Sequence, residues 1–157
     1  FIMAKNYPEF DSLIHLPYAE WLEKNDRFEE AQREYKLGKR PELSMRIIEK
    51  LCKNAIVEQR FKDAAYFYWL LSLETLQLVK NAKNPDFEDT KRLQNFHEYN
   101  LLADIYYAYN SVHSFIEEPF QHTGRVYQQR VFNACRFILG KMGTRSPLGV
   151  TNEISFI

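Results

Sequence analysis

The sequence predicts an all-α protein in which helical hairpins stack side by side as a stretch of solenoid. Three observations carry that prediction. Apolar residues recur at helical spacing along most of the 157 residues, and no segment shows the period-two alternation of a half-buried strand. Glycines and prolines number only 5 and 6, few for the many tight turns of a sandwich or barrel. Phe, Ala and Tyr also recur together at an offset of 33 residues, the length of one helix-turn-helix unit.

The elements follow in order. Pro17 opens a helix through Tyr18, Trp21 and Leu22, and Asn25 suits the turn that ends it. Asp26-Arg27-Phe28-Glu29 has the form of a capping box, with Asp26 as N-cap and Glu29 reaching back. The helix it starts carries Phe28, Ala31 and Tyr35 on one face, turns Glu30, Arg33 and Glu34 outward, and ends at Gly38. Arg40-Pro41 opens the next helix, where Leu43, Ile47, Leu51 and Ala55 form one apolar stripe flanked by Ile48 and Cys52. From Phe61 to about Val79 the chain is apolar on nearly all sides, which predicts a helix sandwiched between neighbours.

Asn84-Pro85 marks another start. From Phe87 to Ile116 two stripes run together, one through Phe96, Tyr99, Ala103 and Tyr106, the other through Leu102, Ile105, Tyr109, Val112 and Ile116. Such a helix is about 45 Å long and should touch two neighbours. Glu118-Pro119 stops it. A last helix fits Arg125 to Leu139, with Val131, Cys135 and Ile138 inward and Gly140 at its end. In residues 146–157, Ser146-Pro147 favours a further helix while Gly149, Val150 and Thr151 oppose it.

The repeat is clearest when Arg27 to Tyr35 is laid over Arg60 to Tyr68. Phe28 falls on Phe61, Ala31 on Ala64 and Tyr35 on Tyr68. Twelve residues before each alanine stand Ala19 and Cys52, and nine before stand Leu22 and Ala55. Small residues at these points let antiparallel helices approach, and the later aromatic fills the gap to the next hairpin. The spacing is that of tetratricopeptide repeats, whose period is about 34 residues. Two such hairpins cover about 16–79. Past residue 80 the register is lost, and longer, irregular helices are expected over about 86–140. A hairpin cannot bury both faces alone, so stacking on neighbours is obligatory.

Whole phrases also match a known family. Leu16-Pro17-Tyr18-Ala19-Glu20-Trp21-Leu22-Glu23-Lys24-Asn25-Asp26-Arg27-Phe28-Glu29-Glu30-Ala31-Gln32 resembles the tetratricopeptide-like region of the intraflagellar transport protein 122 family. So does the run from Val57 through Arg60-Phe61, Asp63-Ala64-Ala65-Tyr66 and Tyr68-Trp69-Leu70-Leu71-Ser72, with weaker matches at Tyr106-Tyr107-Ala108-Tyr109, His113 and Glu118-Pro119-Phe120. The resemblance covers roughly residues 16–140. It implies a scaffold subunit of intraflagellar transport complex A, acting in retrograde ciliary transport and the import of membrane-protein cargo. Its implied partners are other subunits of that complex and, indirectly, cargo; its implied location is cytoplasm, cilium and basal body. The family's front propellers and cysteine-rich tail have no counterpart here, and the family offers no catalytic residues to carry over.

Composition narrows the alternatives. With 45% hydrophobic and 15% aromatic residues the chain is too apolar to be disordered. Its 21 basic and 21 acidic residues cancel, so no global charge draws it to nucleic acid or anionic membrane. The longest apolar stretch, Ala64 to Leu73, is broken by Ser72 and falls far short of the about 20 residues that span a bilayer. Cys52 and Cys135 lack metal or redox spacing and read as small buried residues, consistent with a reducing compartment. The start at Phe1 and the stop at Ile157 read as cuts from a longer polypeptide.

No catalytic constellation emerges, and an enzyme is not expected. His113 and Glu117 share a helix face, with His122 near in sequence, but no paired motif supports a metal. The adjacent pairs Glu29-Glu30 and Glu117-Glu118 point different ways on a helix, and the glycines are scattered rather than gathered into a phosphate loop. No cofactor is implied.

Candidate binding residues are of three kinds. Arg125, Arg130, Arg136, Lys141 and Arg145 stand between Pro119 and Asn152 without one acidic residue. They read either as a solvated helix face or as a docking patch for an acidic partner or phosphates. A peptide groove of the tetratricopeptide type would be lined by first helices, around Trp21, Leu22, Lys50 and Lys53. The aromatics Tyr66, Phe67, Tyr68, Trp69, Tyr106, Tyr107 and Tyr109 sit among alanines and leucines and read as core rather than as a base-stacking platform. RNA binding therefore ranks last.

Overall fold

The computed structural model describes residues 11–81, 87–118 and 124–141. Among them are six α-helices and no strand: α1 (Asp11–Lys24), α2 (Phe28–Leu37), α3 (Pro41–Val57), α4 (Phe61–Asn81), α5 (Phe87–Glu117) and α6 (Arg125–Lys141). Each packs chiefly on the next in sequence, the arrangement of a tetratricopeptide-like solenoid. The stretch 146–157, with Arg145 before it, lies outside the described residues.

The first three connections use one device. Asp26, Lys39 and Gln59 adopt left-handed backbone with φ of 58°, 57° and 58°. The amide of the following arginine then reaches back five residues, Arg27 to Leu22 at 3.0 Å, Arg40 to Tyr35 at 3.0 Å and Arg60 to Ala55 at 2.8 Å. Those are Schellman turns, which satisfy the last carbonyls of each helix. The same arginine carbonyls accept the first bonds of the next helix, from Ala31, Ser44 and Ala64. Each arginine thus closes one helix and opens another.

That device corrects three expectations. Asp26 is no N-cap: it holds the left-handed position, Arg27 precedes α2, and no side chain caps that end. Arg27 instead pairs with Glu30, Nε to Oε1 at 2.8 Å, so the capping box does not form. Gly38 ends α2 but with φ of −72°, the left-handed turn falling on Lys39. Glycine at 38 serves close approach, since a Cβ there would lie 3.1 Å from Leu16 Cδ2. Pro17 lies inside α1 rather than at its start. Its missing N–H leaves the Leu13 carbonyl without the usual helical donor, on an exposed turn.

The core falls into two clusters joined along α3. Ala19, Leu22, Ala31, Tyr35 and Ile47 form the smaller one. Ile48, Cys52, Ala55, Phe61, Ala64 and Leu71 lead the larger, which runs through Tyr106, Tyr109 and Val112 to Val131, Ala134, Cys135 and Ile138. Phe28 and Tyr68 are half-buried at the edges. Neighbouring Ile47 and Ile48 thus point into different clusters, which is how one helix serves two hairpins. Burial drives the Cys52 thiol up to about 12, with Glu49 adding to it, and burial also raises Cys135. Both thiols therefore stay protonated and act as small core residues.

Longer α5 lies between α4 and α6. Tyr68 stacks on Tyr106 with centroids 5.5 Å apart, and Phe61 meets Tyr109 edge-on at 4.7 Å. The α5 stripe ends exposed at Ile116, and α6 continues past Gly140 to Lys141.

Candidate functional site

Helix α6 turns Val131, Ala134, Cys135 and Ile138 inward and has no acidic residue. Its outer surface follows from helical geometry. At about 100° per residue, positions eleven apart return to within about 20° of one face. Arg125 and Arg136 therefore share one ridge with Phe132 and Leu139. Arg130 and Lys141 share another with Val126 and Phe137. Between them runs the Gln129 Nε2 to Asn133 Oδ1 hydrogen bond of 3.1 Å.

All four basic residues are exposed, as are Val126, Phe132 and Leu139. The Arg136 guanidinium lies 5.9 Å from the Phe132 ring centroid, and the Lys141 ammonium lies 5.9 Å from that of Phe137. Cations here are laid along aromatic rings, so one face offers positive charge and apolar area together. Such a surface suits a partner that presents carboxylates around an apolar patch.

The residues expected around a first-helix groove differ in exposure. Leu22 is wholly buried in the small core cluster, while Trp21 is exposed and stacks on Tyr18 at 6.0 Å. Lys53 is exposed. Lys50 bonds Glu23 and lies 5.9 Å from the Phe28 ring, so its charge is already used. Burial works to raise the Glu23 carboxyl, but Lys50, Tyr35 and Arg46 outweigh it and hold the group below its ordinary value.

The aromatic series divides. Phe67, Tyr106 and Tyr109 are core, and Tyr68 is half-buried. Tyr66, Trp69 and Tyr107 are not core, with exposures of 55%, 47% and 67%. Helix α4 therefore does have an outward face, and that face is aromatic. Successive residues 66 to 69 point about 100° apart, so composition alone could not sort them. The small buried residues beside these rings are Ala65 on α4 and Ala103 on α5.

His113 sits edge-on to Phe61 at 4.8 Å, filling space in the aromatic cluster. His122 lies outside the described residues. Among the described residues no three His, Cys, Asp or Glu side chains converge on a metal position. Nor is any helix among them long and apolar enough to cross a membrane.

With that geometry in place, comparison with known proteins is specific. The family model described as IFT122, TPR domain, matches residues 1–154. The intraflagellar transport protein 122 homolog of Mus musculus is 38% identical over 151 residues, 96% of this chain. The homolog of Danio rerio is 36% identical over 151 residues, and that of Homo sapiens 38% over 152. The chain spans 12% of the length of these relatives.

Proposed function

Given that the chain belongs to the IFT122 TPR-domain family, we propose that it is a protein–protein interaction scaffold within an intraflagellar transport assembly of the complex A kind. It works by contact rather than by chemistry. The observation that carries this reading is the outer face of α6, where exposed Arg125, Arg130, Arg136 and Lys141 alternate with uncovered Val126, Phe132 and Leu139. A hairpin solenoid presents long continuous faces for such contacts, and its stability depends on stacking at each end. As one segment of a longer solenoid, the chain links neighbouring subunits and supports retrograde ciliary transport and cargo import. Its place is then the cytoplasm, the cilium and the basal body.

The test is affinity purification of the tagged chain from ciliated-cell extract, quantified by mass spectrometry against a variant with Arg130→Glu and Arg136→Glu. Recovery of intraflagellar transport subunits by the parent chain, reduced in the variant, supports the reading. Recovery of chaperones or short-motif proteins alone would point instead to a peptide-binding adaptor.

A further inference from the structure

Among the described residues, the large core cluster stops partway along the α4–α5 hairpin. Its last α4 member is Leu71, and on α5 the first residue packed against it is Tyr99. Helix α4 runs on past that point from Ser72 to Asn81, for about 15 Å. Because Phe61 meets Tyr109 while Tyr68 meets Tyr99, the two helices are antiparallel, and α5 before Tyr99 lies beside this outer stretch.

Three polar side chains are buried where the stretch begins: Ser72, Glu74 and Thr75. Ser72 Oγ donates to the Trp69 carbonyl at 2.7 Å, and Thr75 Oγ1 to that of Leu71 at 2.8 Å. Hydroxyls bonded back into their own helix in this way favour a bend. Glu74 is satisfied from another helix. The Lys36 ammonium of α2 donates to its Oε1 at 2.5 Å, the glutamate side chain 9% exposed and the lysine 49%. On the α5 side, the Tyr99 hydroxyl donates to Glu49 of α3 at 3.2 Å. Two polar contacts thus tie the root of the hairpin to α2 and α3.

We propose that the outer part of the α4–α5 hairpin is an arm hinged at residues 72–75, and that the Lys36–Glu74 pair is the latch holding it to the first hairpin. A buried carboxylate that loses its cation is left charged and out of water. Glu74 regains water when α4 swings away from α2, and the back-bonded hydroxyls give the helix a place to bend. The Tyr99–Glu49 bond remains as the pivot. A buried ion pair replaced by two apolar side chains is often neutral or stabilising, so removing both charges keeps the arm closed. The latch is therefore set by charge, and neutralising the half-exposed Lys36 releases it.

The experiment is double electron–electron resonance on the full chain, with nitroxides on two introduced cysteines. Glu20→Cys with Gln77→Cys spans the first hairpin and the arm. Glu20→Cys with Lys62→Cys spans the first hairpin and the start of α4, and all three positions are exposed. Native Cys52 and Cys135 are buried and stay unlabelled. The parent should give one narrow distance for each pair. Lys36→Met should lengthen and broaden the distance to residue 77 and leave that to residue 62 unchanged. Adding Glu74→Leu to Lys36→Met should narrow it again. Parent-like distances in Lys36→Met overturn the latch, and so does a distance to residue 77 that is already broad in the parent. Broadening at both pairs shows general loosening rather than a hinge, and an arm still open in the double variant shows that the Glu74 charge does not drive it. Either result sinks the proposal.

Discussion

The Tyr35 hydroxyl donates a 3.0 Å hydrogen bond from α2 to the Glu23 carboxylate of α1. The same carboxylate receives Lys50 and, at 3.4 Å, Arg46, both from α3. One largely buried group therefore ties the first hairpin to the second. Glu23→Gln should lower stability by about 1–3 kcal/mol, and Tyr35→Phe by less, because Glu23 keeps its two cations. Urea denaturation checks both, and an unchanged midpoint for Glu23→Gln would show that the cluster is screened into irrelevance.

The three left-handed turns make a second prediction. An L-residue in that conformation costs about 1–2 kcal/mol relative to right-handed backbone; glycine avoids that cost, though its larger entropy loss on folding cancels part of the gain. Gln59→Gly and Lys39→Gly should each stabilise by up to about 1 kcal/mol, whereas Gln59→Val should destabilise. Thermal melts of the three variants decide it. A fall in melting temperature for both glycine variants would contradict the backbone geometry of these connections.

These turns also show where the sequence stops speaking. The helices and the 33-residue offset were legible because Phe28, Ala31 and Tyr35 repeat as Phe61, Ala64 and Tyr68 on one face. The turn between α1 and α2 was not, since no glycine marks the left-handed residue and Glu29 three positions after Asp26 imitates a capping box. Pro17 misled for a related reason: proline favours a first turn, but a helix survives it where the freed carbonyl, here that of Leu13, is on an exposed turn. The basic face of α6 was visible as composition. Its division into two ridges with Phe132 and Phe137 needed the helix itself, and the exposure of Tyr66 and Tyr107 beside buried Phe67 and Tyr106 needed the packing of α4 on α5.

Ala64 is fully buried at the start of α4, and its repeat counterpart Ala31 is fully buried in α2. Neither has room for a larger side chain. Ala64→Leu should overpack the large cluster and cost about 1–3 kcal/mol, measured by calorimetry. Ala31→Leu should act similarly on the small cluster. If Ala64→Leu melts with the parent, the close approach at that point is not real.

The pH dependence has opposite signs at its two ends. Burial, and then hydrogen bonding to Glu23, pushes Tyr35 up to about 12; burial, and then Glu49, pushes Tyr99 up to about 12. An unfolded tyrosine loses its proton near 10, so above that pH the unfolded state binds fewer protons and gains. The stabilisation is complete below about pH 10 and is lost toward 12. Glu23 works the other way, its depressed value giving stability above the ordinary carboxylate range that is lost as pH falls through the folded value. Absorbance at 295 nm against pH should show a late tyrosine class that titrates together with loss of helix. Complete tyrosine ionisation before any helix is lost would refute this coupling.

On α6, charge and apolar area can be separated by mutation because they occupy the same ridges through different side chains. Arg136→Glu removes a cation from above Phe132, whereas Phe132→Ala removes the ring and leaves the arginine. If the face docks an acidic-rimmed partner, reversing Arg130 and Arg136 should slow association and flatten its salt dependence, since long-range steering follows charge. Phe132→Ala should instead speed dissociation, with affinity falling by about tenfold or more if the ring is a central anchor. Surface plasmon resonance of the chain against a captured transport subunit, at low and physiological salt, separates the two effects. The protein should stay folded in every variant, because all three side chains are exposed. Identical kinetics for the parent and both variants would mean that α6 is only a solvated edge of the solenoid.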